Sequence, residues 1–409
     1  MLIKNAQIID ANKSIKSDLL IENGKIVKIA PVIKHEGEVI DANGLYLLPG
    51  IIDLNFTLQD PGNKSVEKIE SAISDALKGG ATHIAVMPYT NPTIDSETTM
   101  EYVHGKVLGK KGAKLSIIAS ATLKGEGVKL SEQATLYKNG AIACHIDSSS
   151  DSNILRRTFE YAWMQDKTLF VRCKNKQLEA GGVMSDGEIS SKLGLPPVIS
   201  LTQSSEVAKV CEISRYLDTK TLIQTVSTRD SLQIIKNAKQ GTKKIFAEVG
   251  INYLILNDTA CDNFNTFAKV SPPFENEATR KALIEAIKDE TIDVISSCHN
   301  AQSLNSKDMP FDIASYGISS CGYFLPLVFT YLVEKEGLDF KLISKLLSAN
   351  PAKIIGAENE GLVEEGYDAN LILFDPNGVT KVPNNINSPF CSTVLNGEVK
   401  AVWINGEQA

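Results

Sequence analysis

The chain has 409 residues, 43% of them hydrophobic, and a net charge of −7. The apolar share is ample for a large buried core. Acidic and basic residues are mixed throughout, with no basic stripe and no block of like charge, which excludes a dedicated nucleic-acid binder and a charged tail.

The first 47 residues read as strands. Leu2 to Ile9 is followed by Leu19 to Ile29, and the second run is broken by Asn23-Gly24. That pair between apolar runs predicts a hairpin, because a type I′ turn needs positive φ at both central positions. From about residue 48 to 357 the pattern changes. Short apolar runs (Ile84 to Met87, Leu115 to Ala119, Ile142 to Cys144, Thr168 to Val171, Ile292 to Ile295) read as buried strands. Amphipathic stretches such as Val66 to Lys78 and Ala278 to Lys288 lie between them. Strand–helix alternation of this length predicts a (β/α)8 barrel, which can run to roughly 250 residues or more. Residues 358–409 return to strands, at Asn370 to Phe374 and at Ala401 to Ile404, the latter ending in Asn405-Gly406. The two ends are expected to pair into one small β domain, giving shares of 1–47, 48–357 and 358–409.

The seven cysteines are odd in number and none is in C-x-x-C spacing. That disfavours a disulfide framework or a structural zinc site and points to a reducing compartment. The N-terminus is too short and polar for a signal peptide, and no apolar run approaches the roughly 20 residues of a membrane span. The expectation is a cytoplasmic protein.

Catalytic groups of a barrel sit where strands end at its C-terminal face. Past the apolar runs stand Asp53 to Gly62, Pro88 to Pro92, Thr225 to Thr228 and Ser296 to His299. These segments resemble the dihydroorotase branch of the amidohydrolase superfamily. The family opens its barrel with Pro-Gly-x-Ile-Asp-x-His-x-His-x-Arg-x-Pro-Gly, and Pro49, Gly50, Ile52, Asp53, Pro61 and Gly62 match that frame. Met87-Pro88-Tyr89-Thr90 looks like its Met-Pro-Asn-Thr, and Val226-Ser227 sits in its His-x-Ser segment. Ser271-Pro272-Pro273 looks like its Asn-Pro-Pro. Asn350-Pro351-Ala352 and Gly366 to Leu371 resemble its closing motifs. Each match is weak alone, but they occur in order over essentially the whole chain.

The departures fall on the working positions. Asn55 and Thr57 stand where the family has two metal-binding His, Gln59 where an Arg holds the substrate carboxylate, and Tyr89 where it has a substrate-side Asn. Arg172 opens the segment that reads His-Cys-Glu-Asp in the family, and Thr225 replaces the His before Val-Ser. Cys298 replaces the Asp before a retained His299. A paired Asp segment is reduced to Ile146-Asp147, and Asn252 lies where a further His is common. The family's hydrolysis needs a metal-activated hydroxide, and two divalent ions need converging His and carboxylate ligands. Neutral Asn and Thr are poor ligands, and a permanent guanidinium repels a cation. The resemblance implies zinc, and these departures predict its absence.

Other residues read more plainly. His145, beside Cys144 and Asp147, stands where a ligand could sit but lacks a second His in the pattern. His83 reads as structural, His35 and His104 as surface residues, and Asp53 as part of the structural frame. Cys298-His299 as a thiolate–imidazole pair is disfavoured, because adjacent strand residues point to opposite faces. Arg172, Lys174 and Arg229 form a candidate cationic mouth, against the plainer reading of solvated or paired charges.

Three functions follow. The first is a catalytically silent dihydroorotase homologue; the resemblance implies a structural companion of aspartate carbamoyltransferase in pyrimidine biosynthesis, with a homo-oligomer left open. The second is an active cyclic amidohydrolase, opening dihydroorotate to N-carbamoyl-aspartate at an altered site, with a single metal or by a metal-free route through His145, Asp147, Cys298 or His299. The third is a small-ligand-binding barrel whose former pocket is lined by Tyr89, Arg172 and Gln59.

Overall fold

A computed structural model describes residues 1–409. Five strands open the chain: β1 (Leu2–Ile9), β2 (Ser14–Glu22), β3 (Lys25–Ala30), β4 (Val39–Asp41) and β5 (Tyr46–Pro49). Next come β6 (Ile51–Thr57), β7 (Ala81–Val86), β8 (Lys114–Ser120), β9 (Ala141–Asp147) and β10 (Leu169–Arg172). A short ribbon, β11 (Met184–Ser185) with β12 (Pro197–Val198), precedes β13 (Thr221–Gln224), β14 (Ile245–Gly250), β15 (Val294–Ser296) and β16 (His299–Asn300). The C-terminal segment adds β17 (Leu371–Lys381), β18 (Val394–Ile404) and β19 (Glu407–Gln408).

Both chain ends build one sheet, in the order β19-β18-β17-β5-β1-β2-β3. The Asn23-Gly24 turn joins β2 to β3 with φ of +50° and +79°, and Glu22 faces Lys25, as the hairpin pattern predicts. Asn405-Gly406 joins β18 to β19 in the same way, with φ of +49° and +76°. A Cβ on Gly24 would lie 2.9 Å from the Asn405 carbonyl oxygen, so the two turns pack on each other. Ile3, Ile8, Leu19 and Ile21 from one end and Leu371, Leu373 and Trp403 from the other share one core. The N-terminal share runs to Pro49, just past residue 47, because β5 pairs with both β1 and β17.

The second sheet is parallel, in the order β15-β14-β13-β10-β9-β8-β7-β6-β16. Its two end members, β15 and β16, are one interrupted strand. β15 pairs with β14 and β16 pairs with β6, and only Ser297 and Cys298 separate them. The sheet therefore closes into the expected eight-stranded barrel. Cys298 has φ of +51°, which breaks the ladder at this point. Ile52, Leu54, Ala85, Ile118, Ala143, Phe170, Leu222 and Val294 form a separate apolar cluster, contributed strand by strand, that fills the barrel interior. Ala352 and Ile354, from the helix Asn350–Ile355, join it from the N-terminal end. Outside, helices bury one face each. The helix Ile69–Lys78 buries Ile69, Ala72, Ile73 and Ala76, at i, i+3, i+4 and i+7. The expected 278–288 helix spans Glu277–Lys288. No helix is long and apolar enough to cross a membrane.

Candidate functional site: the C-terminal mouth of the barrel

Strand ends deliver the site residues. Asn55 and Thr57 close β6, Asp147 closes β9 and Arg172 closes β10. Tyr89 follows β7, Thr225 follows β13, Asn252 follows β14, and Cys298 sits in the break of the eighth strand. Seven of these line one cavity of about 290 Å³: Asn55, Thr57, Tyr89, Arg172, Thr225, Asn252 and Cys298. Asp147 instead lines a neighbouring cavity of about 300 Å³, with Tyr89 and His145.

The floor of the main cavity is a closed hydrogen-bond network. The Asn55 amide Nδ2 donates to Thr225 Oγ1 at 3.2 Å, to Glu248 Oε2 at 3.2 Å and to Cys298 Sγ at 3.3 Å. Glu248 also accepts from the Thr225 backbone N–H at 2.7 Å and from the Ser296 hydroxyl. Glu248 is fully buried on β14, and burial pushes its carboxyl up to about 7. Sequence reasoning passed over it. The available signal was a lone charged residue inside the apolar run Ile245 to Gly250. Beside it, Asp53 accepts from both the hydroxyl and the backbone N–H of Ser297, and burial raises it to about 6. This carboxyl ties β6 to the interrupted strand, in keeping with a structural role.

The walls carry the charge. Arg172 donates through Nη2 to the carbonyl and hydroxyl oxygens of Ser271, the hydroxyl at 3.1 Å. Its Nε is buried without a partner. Lys174 lines the same cavity and pairs with Glu179 at 2.8 Å. Arg229 begins the helix Arg229–Lys239 and lines no part of the cavity, so the expected three-cation mouth holds only two. Tyr89 bonds His145 Nε2 at 2.9 Å, and burial lowers that imidazole to about 4, leaving it neutral. Tyr316 and Gly317 wall the far side. Their loop is held by two buried lysines. Lys269 Nζ donates to the carbonyls of Asp312 and Ala314 and lies 4.3 Å from the Tyr316 ring centroid. Lys307 Nζ donates to the carbonyls of Thr266 and Lys269.

Two residues grouped with the site stand apart from the cavity. His299 turns away from Cys298, as strand alternation requires. Its Nε2 meets Glu67 Oε1 at 2.8 Å, its Nδ1 accepts from the Ser320 N–H at 3.2 Å, and its ring lies against Phe56. It anchors the loop after β6, and no Cys298–His299 pair forms. Gln59 donates to Asn300 Oδ1 at 2.9 Å and does not line the cavity, so the pocket expected between Tyr89, Arg172 and Gln59 lacks its third member. His83 bonds Ser116 at 2.8 Å and Glu360 at 3.2 Å, a structural role. His35 and His104 are half-buried rather than fully exposed.

The donor set does not fit the divalent ions that the family resemblance implies. Asn55 commits its amide N–H groups to the floor and leaves only a neutral amide oxygen, a poor ligand. Burial pushes the Cys298 thiol up, away from the thiolate a metal needs. Arg172 places a fixed positive charge on the wall. No three His, Cys, Asp or Glu side chains anywhere in the chain gather as a metal site.

One pH dependence follows. A carboxyl raised on folding stabilises the fold in its protonated form, and that contribution is lost as pH rises through the folded value. For Glu248 the window runs from its ordinary 4.5 to about 7. His145, lowered to about 4, works in the opposite direction between about 4 and 6.5. The expected result therefore lies in a difference: wild type minus Glu248→Gln should lose melting temperature between pH 4.5 and 7. A difference flat across that range contradicts the buried-acid assignment.

The Amidohydrolase family profile matches residues 46–409. A dihydroorotase of Elusimicrobium minutum is 34% identical, over 99% of this chain and 96% of its own length. A dihydroorotase of Ruminiclostridium cellulolyticum is 35% identical, over 99% and 97%. Among solved structures, an L-hydantoinase from Arthrobacter aurescens superposes with a TM-score of 0.88 at 20% identity, covering 100% of this chain and 95% of that one. A D-hydantoinase from a Thermus species gives 0.87 at 21%, covering 100% and 94%. The barrel with its composite β domain is thus the amidohydrolase fold, and full-length identity above 30% places this chain in the dihydroorotase family of the amidohydrolase superfamily.

Proposed function

We propose that this dihydroorotase-family protein is a non-hydrolytic member that serves pyrimidine biosynthesis as a structural partner of aspartate carbamoyltransferase. The observation that carries the reading is the Asn55–Thr225–Glu248–Cys298 network. Hydrogen bonds between β6, β14 and the ends of β13 and β15 occupy the place where converging ligands would have to hold metal. Such a network cross-links the barrel mouth without an ion, which suits a scaffold kept for its shape. The dihydroorotase relatives favour the active-hydrolase alternative; against it, neither His145, bonded to Tyr89, nor His299, bonded to Glu67, lines the main cavity.

Two neighbouring helices carry exposed apolar side chains, the candidates for a partner contact. Trp163 and Met164 are 57% and 65% exposed, and Tyr216, near the end of the neighbouring helix Leu201–Leu217, is 86% exposed. The first test is metal analysis of the purified protein together with a dihydroorotate turnover assay. The expected outcome is substoichiometric zinc and no turnover; stoichiometric zinc with turnover sinks the proposal. The second is co-purification with aspartate carbamoyltransferase, expected to weaken in Trp163→Ser/Tyr216→Ser. A clean monomer in the transcarbamoylase's presence rejects the partnership.

A further inference from the structure

A separate cavity lies at the opposite end of the barrel from the mouth. It measures about 330 Å³ and sits where β14 begins at Ile245 and where the helix Asn350–Ile355 plugs the barrel base. Four lysines and two carboxylates line it, a positive surplus in a chain whose net charge is −7. Both carboxylates are engaged within the fold. Asp293 Oδ2 accepts from Lys239 Nζ at 2.5 Å and from the Ala247 N–H at 2.7 Å, and Glu290 Oε2 meets Lys345 Nζ at 2.9 Å. Lys243 and Lys353 are exposed, and neither ammonium has a partner. Helix dipoles account for only part of this placement. Lys239 and Lys353 stand in the last turns of their helices, where a cation is favoured. Lys243 belongs to no helix and stands in the connection that leads into β14. Beside it the Thr242 hydroxyl oxygen accepts from the Lys244 N–H at 3.2 Å, which leaves its own O–H free to donate. The apolar part of the lining is Ile245 and Ile354, both buried, and Phe246, half-buried against the cluster that fills the barrel interior.

We infer that this cavity at the barrel base is a binding site for a small phosphate monoester, with the phosphate on Lys243, Lys353 and the Thr242 hydroxyl and the organic group on Phe246. Two unneutralised ammoniums facing one cavity repel each other, and a dianion between them relieves that repulsion more fully than a monoanion does. Lysine meets a tetrahedral phosphate as a point charge, and the lining holds no guanidinium fork that would select a planar carboxylate. The apolar residues lie together at the base of the barrel core, so a ligand with an aromatic or apolar group gains contact that a bare ion does not. The volume suits a small molecule rather than a polymer. The cavity shares no residue with the mouth, so the inference stands apart from the reading proposed above.

The test uses the full-length protein at constant ionic strength, above the second phosphate ionisation, with three probes: phenyl phosphate (dianion and ring), inorganic phosphate (dianion alone) and phenylacetate (ring and monoanion). Phenyl phosphate is expected to bind more tightly than the other two. It should shift the methyl resonances of Ile245 and Ile354 in the wild-type protein and leave that of Ile318, which lines the mouth, in place. Lys243→Gln and Lys353→Gln are each expected to weaken phenyl phosphate at least about fivefold. Both positions are exposed, so neither change threatens the fold, and the wild-type resonances decide the location without any variant. Parity of phenyl phosphate with either other probe overturns the inference. So does binding that both lysine variants leave unchanged, a shift at Ile318 in place of Ile245 and Ile354, or no binding at all. None of these outcomes bears on metal content or turnover at the mouth, so failure here is separable from failure of the proposed function.

Discussion

At pH 4.5, where Glu248 is protonated, Glu248→Ala is expected to destabilise the protein by about 3–5 kcal/mol, whereas Glu248→Gln should stay within about 1 kcal/mol of wild type. Alanine removes the acceptor shared by Asn55 Nδ2, the Thr225 N–H and the Ser296 hydroxyl, all in a fully buried setting. Each orphaned donor costs roughly 1–3 kcal/mol. Glutamine keeps the volume. Its amide oxygen can take the two N–H donors while its NH2 donates to the Ser296 hydroxyl oxygen. Equilibrium denaturation of both variants separates the outcomes. If alanine costs less than about 1 kcal/mol, the network is not what holds the mouth together.

Phe374→Ala should cost about 3–5 kcal/mol for a different reason, the emptying of a packed aromatic cluster. Phe374 is fully buried on β17, with ring centroids 5.0 Å from Phe329 and 6.3 Å from Phe340. Phe340 in turn lies 5.8 Å from Tyr46 of β5. The cluster therefore joins strands from both chain ends to helical segments of the barrel. A Cβ on Gly397 would come within 2.1 Å of Phe374 Cζ, so the strand β18 backbone rests on the ring edge, and losing the ring leaves a void that backbone cannot readily fill. Val379→Ala, 57% exposed on the same strand, should change stability by no more than about 0.5 kcal/mol. Denaturant midpoints of the pair check this, and similar midpoints would show that the cluster contributes little.

What the sequence made legible was the repetitive part. Alternating apolar runs, the two Asn-Gly turns and the Pro-Gly frame at residues 49 and 50 follow from backbone sterics and burial periodicity, which act locally. The mouth was legible position by position, since strand ends could be located and the residues on them read off. The partners of those residues were not. Asn55 meets Glu248 across 193 residues and Arg172 meets Ser271 across 99, contacts that no local pattern encodes. His299 shows the same limit. Its place in a family segment suggested the site, but its strand parity sends it to Glu67. Lys269 and Lys307 escaped notice because buried lysines look like surface ones until their carbonyl partners are known.

The sharing of one sheet by the two chain ends has a consequence for biosynthesis. β1 and β5 cannot complete their sheet until β17, beginning at Leu371, leaves the ribosome. At about 5–20 residues per second, the roughly 320 intervening residues impose a wait on the order of tens of seconds. Through that interval Ile3, Ile8, Leu19 and Ile21 lack the Leu371, Leu373 and Trp403 that cover them in the finished fold. Nascent chains of this protein should therefore engage holding chaperones early, and messages truncated before codon 371 should yield aggregates even when they encode the whole barrel.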